Sequence, residues 1–219
     1  MARPPRFDVT QLLDAAVRLA AAGGPGAVTM SAVATAVGAP SGSVYHRFPG
    51  RSALLAEVWL RTVEGFQEGY FEIVEADVDA RRAGCAAARH VVGWSRAHPQ
   101  EAALLLYGAD EFGRADWSEE HLQRAARGNQ RVRATLASLA TALGAADPQA
   151  AERVALAVVD LPLSLVRRHL RAGDPLPAHA EDLAEECTAA LLGSLPPGSA
   201  LPQSPQSPPP QPPPAPATG

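Results

Sequence analysis

An all-α fold is predicted by three features of this 219-residue chain. Apolar residues recur at intervals of three and four along most of its length, no segment alternates long enough to argue a strand, and the breaks fall at Gly and Pro. With 47% apolar residues, the chain can bury a substantial core without a metal or disulfide framework. The expected architecture is an N-terminal three-helix bundle containing a helix-turn-helix, followed by a larger helical bundle, about nine helices in all, and then a disordered Pro-rich tail.

The first predicted helix carries Val9, Leu12, Leu13, Ala16, Val17 and Ala20 as one stripe and stops at Gly23-Gly24-Pro25-Gly26. Thr29 is placed to cap a second, short helix with Met30, Val33, Ala34 and Val37 inward and Gly38 as its stop. After Ala39-Pro40 a third helix runs from Ser41 to about Phe48, with Val44 and Phe48 one turn apart. A long fourth helix starts near Arg51, where Leu55, Trp59, Thr62, Phe66, Tyr70 and Ile73 make a single stripe. Five further helices are predicted over 80 to 97, 100 to 112, 118 to 143, 149 to 172 and 178 to 192. Pro162 lies inside the fourth of these and should kink or interrupt it. The domain division that follows is 1–50, 51–193 and a tail over 194–219. That tail holds no charge and cannot bury enough apolar surface to offset its ordering entropy.

The net charge of −4 is unevenly spread. Up to Arg61 six arginines face Asp8, Asp14 and Glu57, a net of +3, and the remainder carries −7. A mildly basic first quarter suits approach to a polyanion. Cys85 and Cys187 form no CxxC pair, which argues against a zinc site or disulfide framework, and no metal or cofactor is expected. The N-terminus lacks a signal-peptide core and no apolar run approaches membrane length, so a cytoplasmic protein with no membrane partner is expected.

The informative segment is Thr29 to Leu55, TMSAVATAVGAPSGSVYHRFPGRSALL. Two short helices joined through Gly38-Ala39-Pro40 have the punctuation of a helix-turn-helix, whose second helix presents its N-terminal turn to a DNA major groove. Its outward residues are Ser41, Gly42 and Ser43, then Tyr45, His46 and Arg47. Small residues let a backbone approach DNA closely, and hydroxyl, imidazole and guanidinium groups donate to phosphate oxygens.

Thr29, Val33-Ala34, Gly38, Gly42, Tyr45, Phe48 and Leu54, in order and at this spacing, resemble the DNA-binding region of the TetR family of bacterial transcriptional regulators over about residues 9 to 60. The resemblance implies that Thr29 and Arg51 contact phosphates and that Ser41, Gly42 and Ser43 face base edges. It also implies that Tyr45 and His46 bracket the DNA backbone. Arg51 stands where the family usually has Lys, which keeps the charge but changes the geometry. The implied function is a ligand-responsive repressor, released from an inverted-repeat operator in double-stranded DNA by a small-molecule effector. The implied assembly is a homodimer built from the last two ordered helices. Val154, Val158, Leu161 and Leu165, with Leu183, Cys187 and Leu191, supply stripes that could serve that contact or face their own core.

Trp59, Phe66, Tyr70, Trp94 and Tyr107 are candidates for an effector pocket, or ordinary bundle core. Asp160, in the apolar run AVVDLPLSL, is either a buried ligand or interface group or a cap for the break at Pro162. His90 and His121 are pocket candidates or satisfied histidines, and Arg3 and Arg6 could reach DNA from the N-terminal arm. No catalytic constellation is found: Gly38-Ala-Pro-Ser41-Gly misses the nucleophile-elbow register, and GGPG lacks a dinucleotide-loop spacing. A helical binding or adaptor protein that keeps the fold without regulating DNA is the alternative, and the basic, hydroxyl-rich helix-turn-helix argues against it.

Overall fold

The computed structural model describes residues 8–194 apart from 78 and 146. Every regular element among them is helical. The chain runs through α1 (Val9–Gly23), α2 (Met30–Val37), α3 (Ser41–Tyr45), α4 (Arg51–Ala76), α5 (Ala80–Ala97) and α6 (Pro99–Leu104). It continues through α7 (Glu119–Ala142), α8 (Pro148–Ala155), α9 (Leu161–Ala172) and α10 (Ala180–Gly193). The predicted tail and the arm arginines Arg3 and Arg6 lie outside the described residues.

Local chemistry sets the ends of the head helices. The Thr29 hydroxyl accepts the Ala32 N–H at 3.1 Å, capping α2, and Gly38 closes it at φ 67°, a left-handed conformation that favours glycine. Val44 and Phe48 are buried and hold α3 against α1 and α2. The predicted third helix is shorter than expected, ending at Tyr45, with His46 and Arg47 in a turn.

The head core does not close within the first fifty residues. It also takes Leu54, Leu55, Val58 and Leu60 from α4, Leu104 from α6, and Phe112 and Trp117 from the connection to α7. Phe112 is fully buried, so these connection residues act as a plug beneath the head. This explains the correction to the predicted 100 to 112 helix, which stops at Leu104. Gly113 adopts φ 73° and the chain folds back through turns, placing Phe112 and Trp117 inward where a straight helix would carry them away.

Two further cores fill the body. Leu139, Leu143, Val154, Val158 and Leu192 form one, and Tyr70, Phe71, Val91, Val166 and Ala184 belong to the other. The predicted interruption at Pro162 takes a specific form. Leu156–Asp160 is a π turn with helical dihedrals on both sides, so α8 and α9 make one continuous run, in keeping with the single segment expected from the sequence. Proline removes one backbone N–H from that ladder, and the Leu161 N–H just before it reaches back five residues to the Leu156 carbonyl. Val154 and Val158 are fully buried in the chain's own core, the second of the two readings open to them from the sequence.

Candidate nucleic-acid interface and effector face

The helix-turn-helix presents one continuous exposed face. Ser41 and Gly42 are exposed, Ser43 is half-buried, and Tyr45, His46 and Arg47 follow as exposed side chains, with Tyr45 at 58%. Val44 and Phe48, at 0% and 4%, anchor the same segment from below. A Cβ added at Gly42 would meet nothing within 4 Å, so the fold itself has no need of a glycine there. The missing side chain is a property of the outer surface, where it allows close approach by a partner. Thr29, beside this face, accepts the Ala32 N–H as the α2 cap and also shares a hydrogen bond with the Ser31 hydroxyl at 3.2 Å, in which either hydroxyl can donate.

Arg51 is placed differently from the other candidates. Its Nε donates to the Val28 carbonyl at 2.7 Å and one Nη to the Pro25 carbonyl at 2.8 Å. Two of its donor nitrogens are thus directed at the head's own backbone, where the resemblance implied a phosphate contact. The next residue, Ser52, points its hydroxyl the other way and donates to the Asp116 carbonyl at 2.7 Å.

Beneath the head a groove of about 810 Å³ separates Arg47–Gly50 from the connection Asp116–His121. Sequence reading missed this joint, because its two walls lie far apart along the chain. Beside it a hydrogen-bond network joins α4 to α7. A carboxylate only accepts, so the contact at 3.1 Å has His121 Nε2–H donating to Glu57. The Ser118 hydroxyl, 2.7 Å from Nδ1, then donates to the ring in the neutral tautomer. Ser118 also accepts the His121 N–H as the α7 cap, so this histidine is a satisfied structural group. Arg124 spans Glu57 and Glu64, which raises its pKa by hydrogen bonding and ties α7 to α4.

The effector candidates divide into two places. Phe66, Tyr70 and Trp94 come together with His90 between α4 and α5, Phe66 lying 5.2 Å from Trp94 and 5.8 Å from His90 between ring centroids. Gly69 permits this approach, since a Cβ there would fall 2.6 Å from the His90 ring. His90 Nε2 and the Phe66 carbonyl lie 3.3 Å apart, and burial lowers the His90 pKa against that bond's opposing pull. The Tyr70 hydroxyl is buried with no hydrogen-bond partner among the described residues, and burial pushes its pKa far up.

Trp59 and Tyr107 do not join this cluster. Trp59 packs on Trp117 at 5.6 Å in the head core, about 10 Å up the helix from Phe66 at 1.5 Å per residue. Tyr107 packs on Phe112, with its hydroxyl against Gly24. The single aromatic stripe expected on the fourth helix therefore serves two cores. Asp160 is exposed and makes no capping bond to α9, which overturns both the buried-ligand and the cap readings and leaves an outward position.

Comparison with known proteins adds an independent result. Residues 12–58 match the family of bacterial regulatory proteins, tetR family. The whole fold is similar to the transcriptional regulator FadR from Bacillus subtilis, solved in complex with stearoyl-CoA, at 14% identity and TM-score 0.66, covering 84% of this chain and 98% of that one. It is likewise similar to the ketosteroid transcriptional regulator KstR2 of Mycobacterium tuberculosis, at 18% identity and TM-score 0.66 over 87% and 96% of the two chains. A third is the TetR family transcriptional regulator PfmR from Thermus thermophilus, at 19% identity and TM-score 0.61 over 86% and 97%. Among curated proteins nothing matches.

Proposed function

We propose, from the match of residues 12–58 to the family of bacterial regulatory proteins, tetR family, that this chain is a ligand-responsive DNA-binding regulator, acting as a homodimeric repressor on an inverted-repeat operator. The observation that carries the reading is the exposed face Ser41–Arg47, held rigid by buried Val44 and Phe48 and left open by a glycine the fold does not require. In this proposal residues 1–50 read the DNA and 51–193 sense the effector and form the dimer. Ser41, Gly42 and Ser43 approach base edges, and Tyr45, His46, Arg47 and Thr29 bind phosphates.

The effector site we propose is the α4/α5 face of Phe66, Tyr70 and Trp94. The Tyr70 hydroxyl supports it, because a buried donor with no partner costs free energy until a ligand or water accepts its proton. A ligand there acts on α4 directly. Displacing α4 moves the head through Arg51 and changes the groove between head and body, so that two recognition helices no longer fit one DNA register. A cytoplasmic protein, neither enzyme nor membrane component, is the corresponding cellular reading.

Selection of bound sequences from random DNA tests the proposal. The expected result is an inverted repeat whose affinity falls steeply with salt, since counterions are displaced from several phosphates. Failure to select any sequence, or affinity indifferent to salt, would return the chain to the class of helical binding proteins.

A further inference from the structure

The residue that the family resemblance assigns to DNA phosphate donates two hydrogen bonds within the protein. We propose that Arg51 is a positioning residue, which locks α4 to the entry of α2 by donating to the Pro25 and Val28 carbonyls, and that it is not a phosphate ligand. The inference rests on the DNA-binding reading above.

Three observations carry it. First, the two acceptors sit immediately before the α2 cap, within the 3-10 turn and the residue that follows it. Val28 is fully buried, so its carbonyl needs a partner from within the protein, whereas the Pro25 carbonyl already accepts the Val28 N–H at 3.2 Å and takes Arg51 as a second donor. Arg51 reaches both from far along the chain. Second, a cation at the first position of a helix opposes the helix dipole, so the residue has no local reason to be basic. A planar guanidinium that reaches two carbonyls at once gives it a tertiary one, which an ammonium on a flexible stem does not reproduce. Third, the neighbouring Ser52 donates to Asp116 in the body. The first two residues of α4 therefore bond to the entry of α2 and to the connection before α7, so that a displacement of α4 is passed to both.

The mechanical consequence is direct. α2 and α3 are adjoining helices packed through Val33, Val44 and Phe48, so the orientation of α2 fixes that of the recognition turn. Arg51 completes a rigid path from the effector face of α4 to the Ser41–Arg47 surface.

The test compares Arg51→Lys and Arg51→Gln with the unmodified chain, using operator DNA obtained by selection and a DNA-free measurement of amide exchange over residues 25–33. A positioning role predicts that both variants bind DNA about tenfold more weakly, through lost bonds from a charged donor. It also predicts an unchanged slope of affinity against salt, and faster exchange at 25–33 in both. A phosphate contact predicts that Lys retains affinity, that Gln flattens the slope by about 0.9 per contact, and that exchange is unchanged. That pattern would overturn the proposal. If no DNA is selected, the DNA-binding reading fails on its own, and exchange at 25–33 still decides whether Arg51 locks α2. Circular dichroism checks that both variants fold.

Discussion

At Gly42 stability and function should separate. A Cβ there meets nothing within the protein, and Ala is the better helix former by up to about 1 kcal/mol. Gly42→Ala is expected to leave the melting temperature equal or slightly higher while weakening operator binding, because the methyl projects from the face proposed to meet DNA. Equal loss of stability and binding would show that the glycine serves the fold. His90 offers a second test at this scale. Its pKa is lowered mainly by burial, so below its ordinary value of about 6.5 the unfolded chain binds a proton that the native state refuses. Stability from this site is therefore intact above that range and is lost as the pH falls through it. Glu72 favours and His98 opposes the charged form, and neither reverses the sign. His90→Gln keeps a donor for the Phe66 carbonyl and should flatten the fall in melting temperature as the pH drops below about 6.5. An unaltered pH profile would place the titration elsewhere.

Among the helices, α5 packs closely on α10 and the π turn at Gly84. A Cβ on Gly84 would stand 2.8 Å from Leu192 Cδ1 and 3.4 Å from Val158 Cγ1, and both neighbours are buried at 1% or less. Overpacking of that kind costs about 1 to 3 kcal/mol, more than the gain in helix propensity of about 1 kcal/mol. Gly84→Ala should lower the melting temperature, and shortening the neighbour with Leu192→Val should recover part of the loss. Additive effects of the two substitutions would show that the sites are not coupled. The same region shows how far the sequence could be read. Caps and periodicity are local signals, so Thr29, Gly38 and the α1 stripe mark their helices correctly. Which side of a helix meets which neighbour is a tertiary matter, so Val154 and Val158 could be placed on an apolar stripe but not in a particular core. The 100 to 112 segment reads as helix because Ala and Leu favour one. Gly108 and Gly113 carry the contrary signal, and it prevails because folding back buries Phe112 and Trp117. In the candidate interface the exposed residues were all legible from spacing. The Arg51 contacts and the His121–Glu57 bridge were not, since each joins residues that only the packed structure brings together.

Over the whole molecule, the proposed homodimer makes the spacing of two heads the decisive quantity. One head offers a few exposed or half-exposed residues on a short turn, a small surface whose proposed phosphate contacts would bind DNA of any sequence weakly. Joining two heads makes the second contact intramolecular and raises affinity by about 100-fold or more, provided that the dimer holds them at the operator's spacing. Within one chain, Leu156 at 46% exposure and Leu183 at 39% are large apolar residues facing outward from the π turn and α10, while Cys187 continues the α10 stripe half-buried. These are the surfaces expected to meet in the dimer, with Asp160 at their edge. Leu183→Glu places a charge in that contact without touching either body core, since Leu183 is not part of them. Light scattering should then report a monomer with unchanged helix content. Affinity for the full inverted repeat should fall by about 100-fold or more, while affinity for an isolated half-site stays the same. A variant that remains dimeric would move the subunit contact to another face, and a monomer with undiminished operator affinity would show that the heads bind independently.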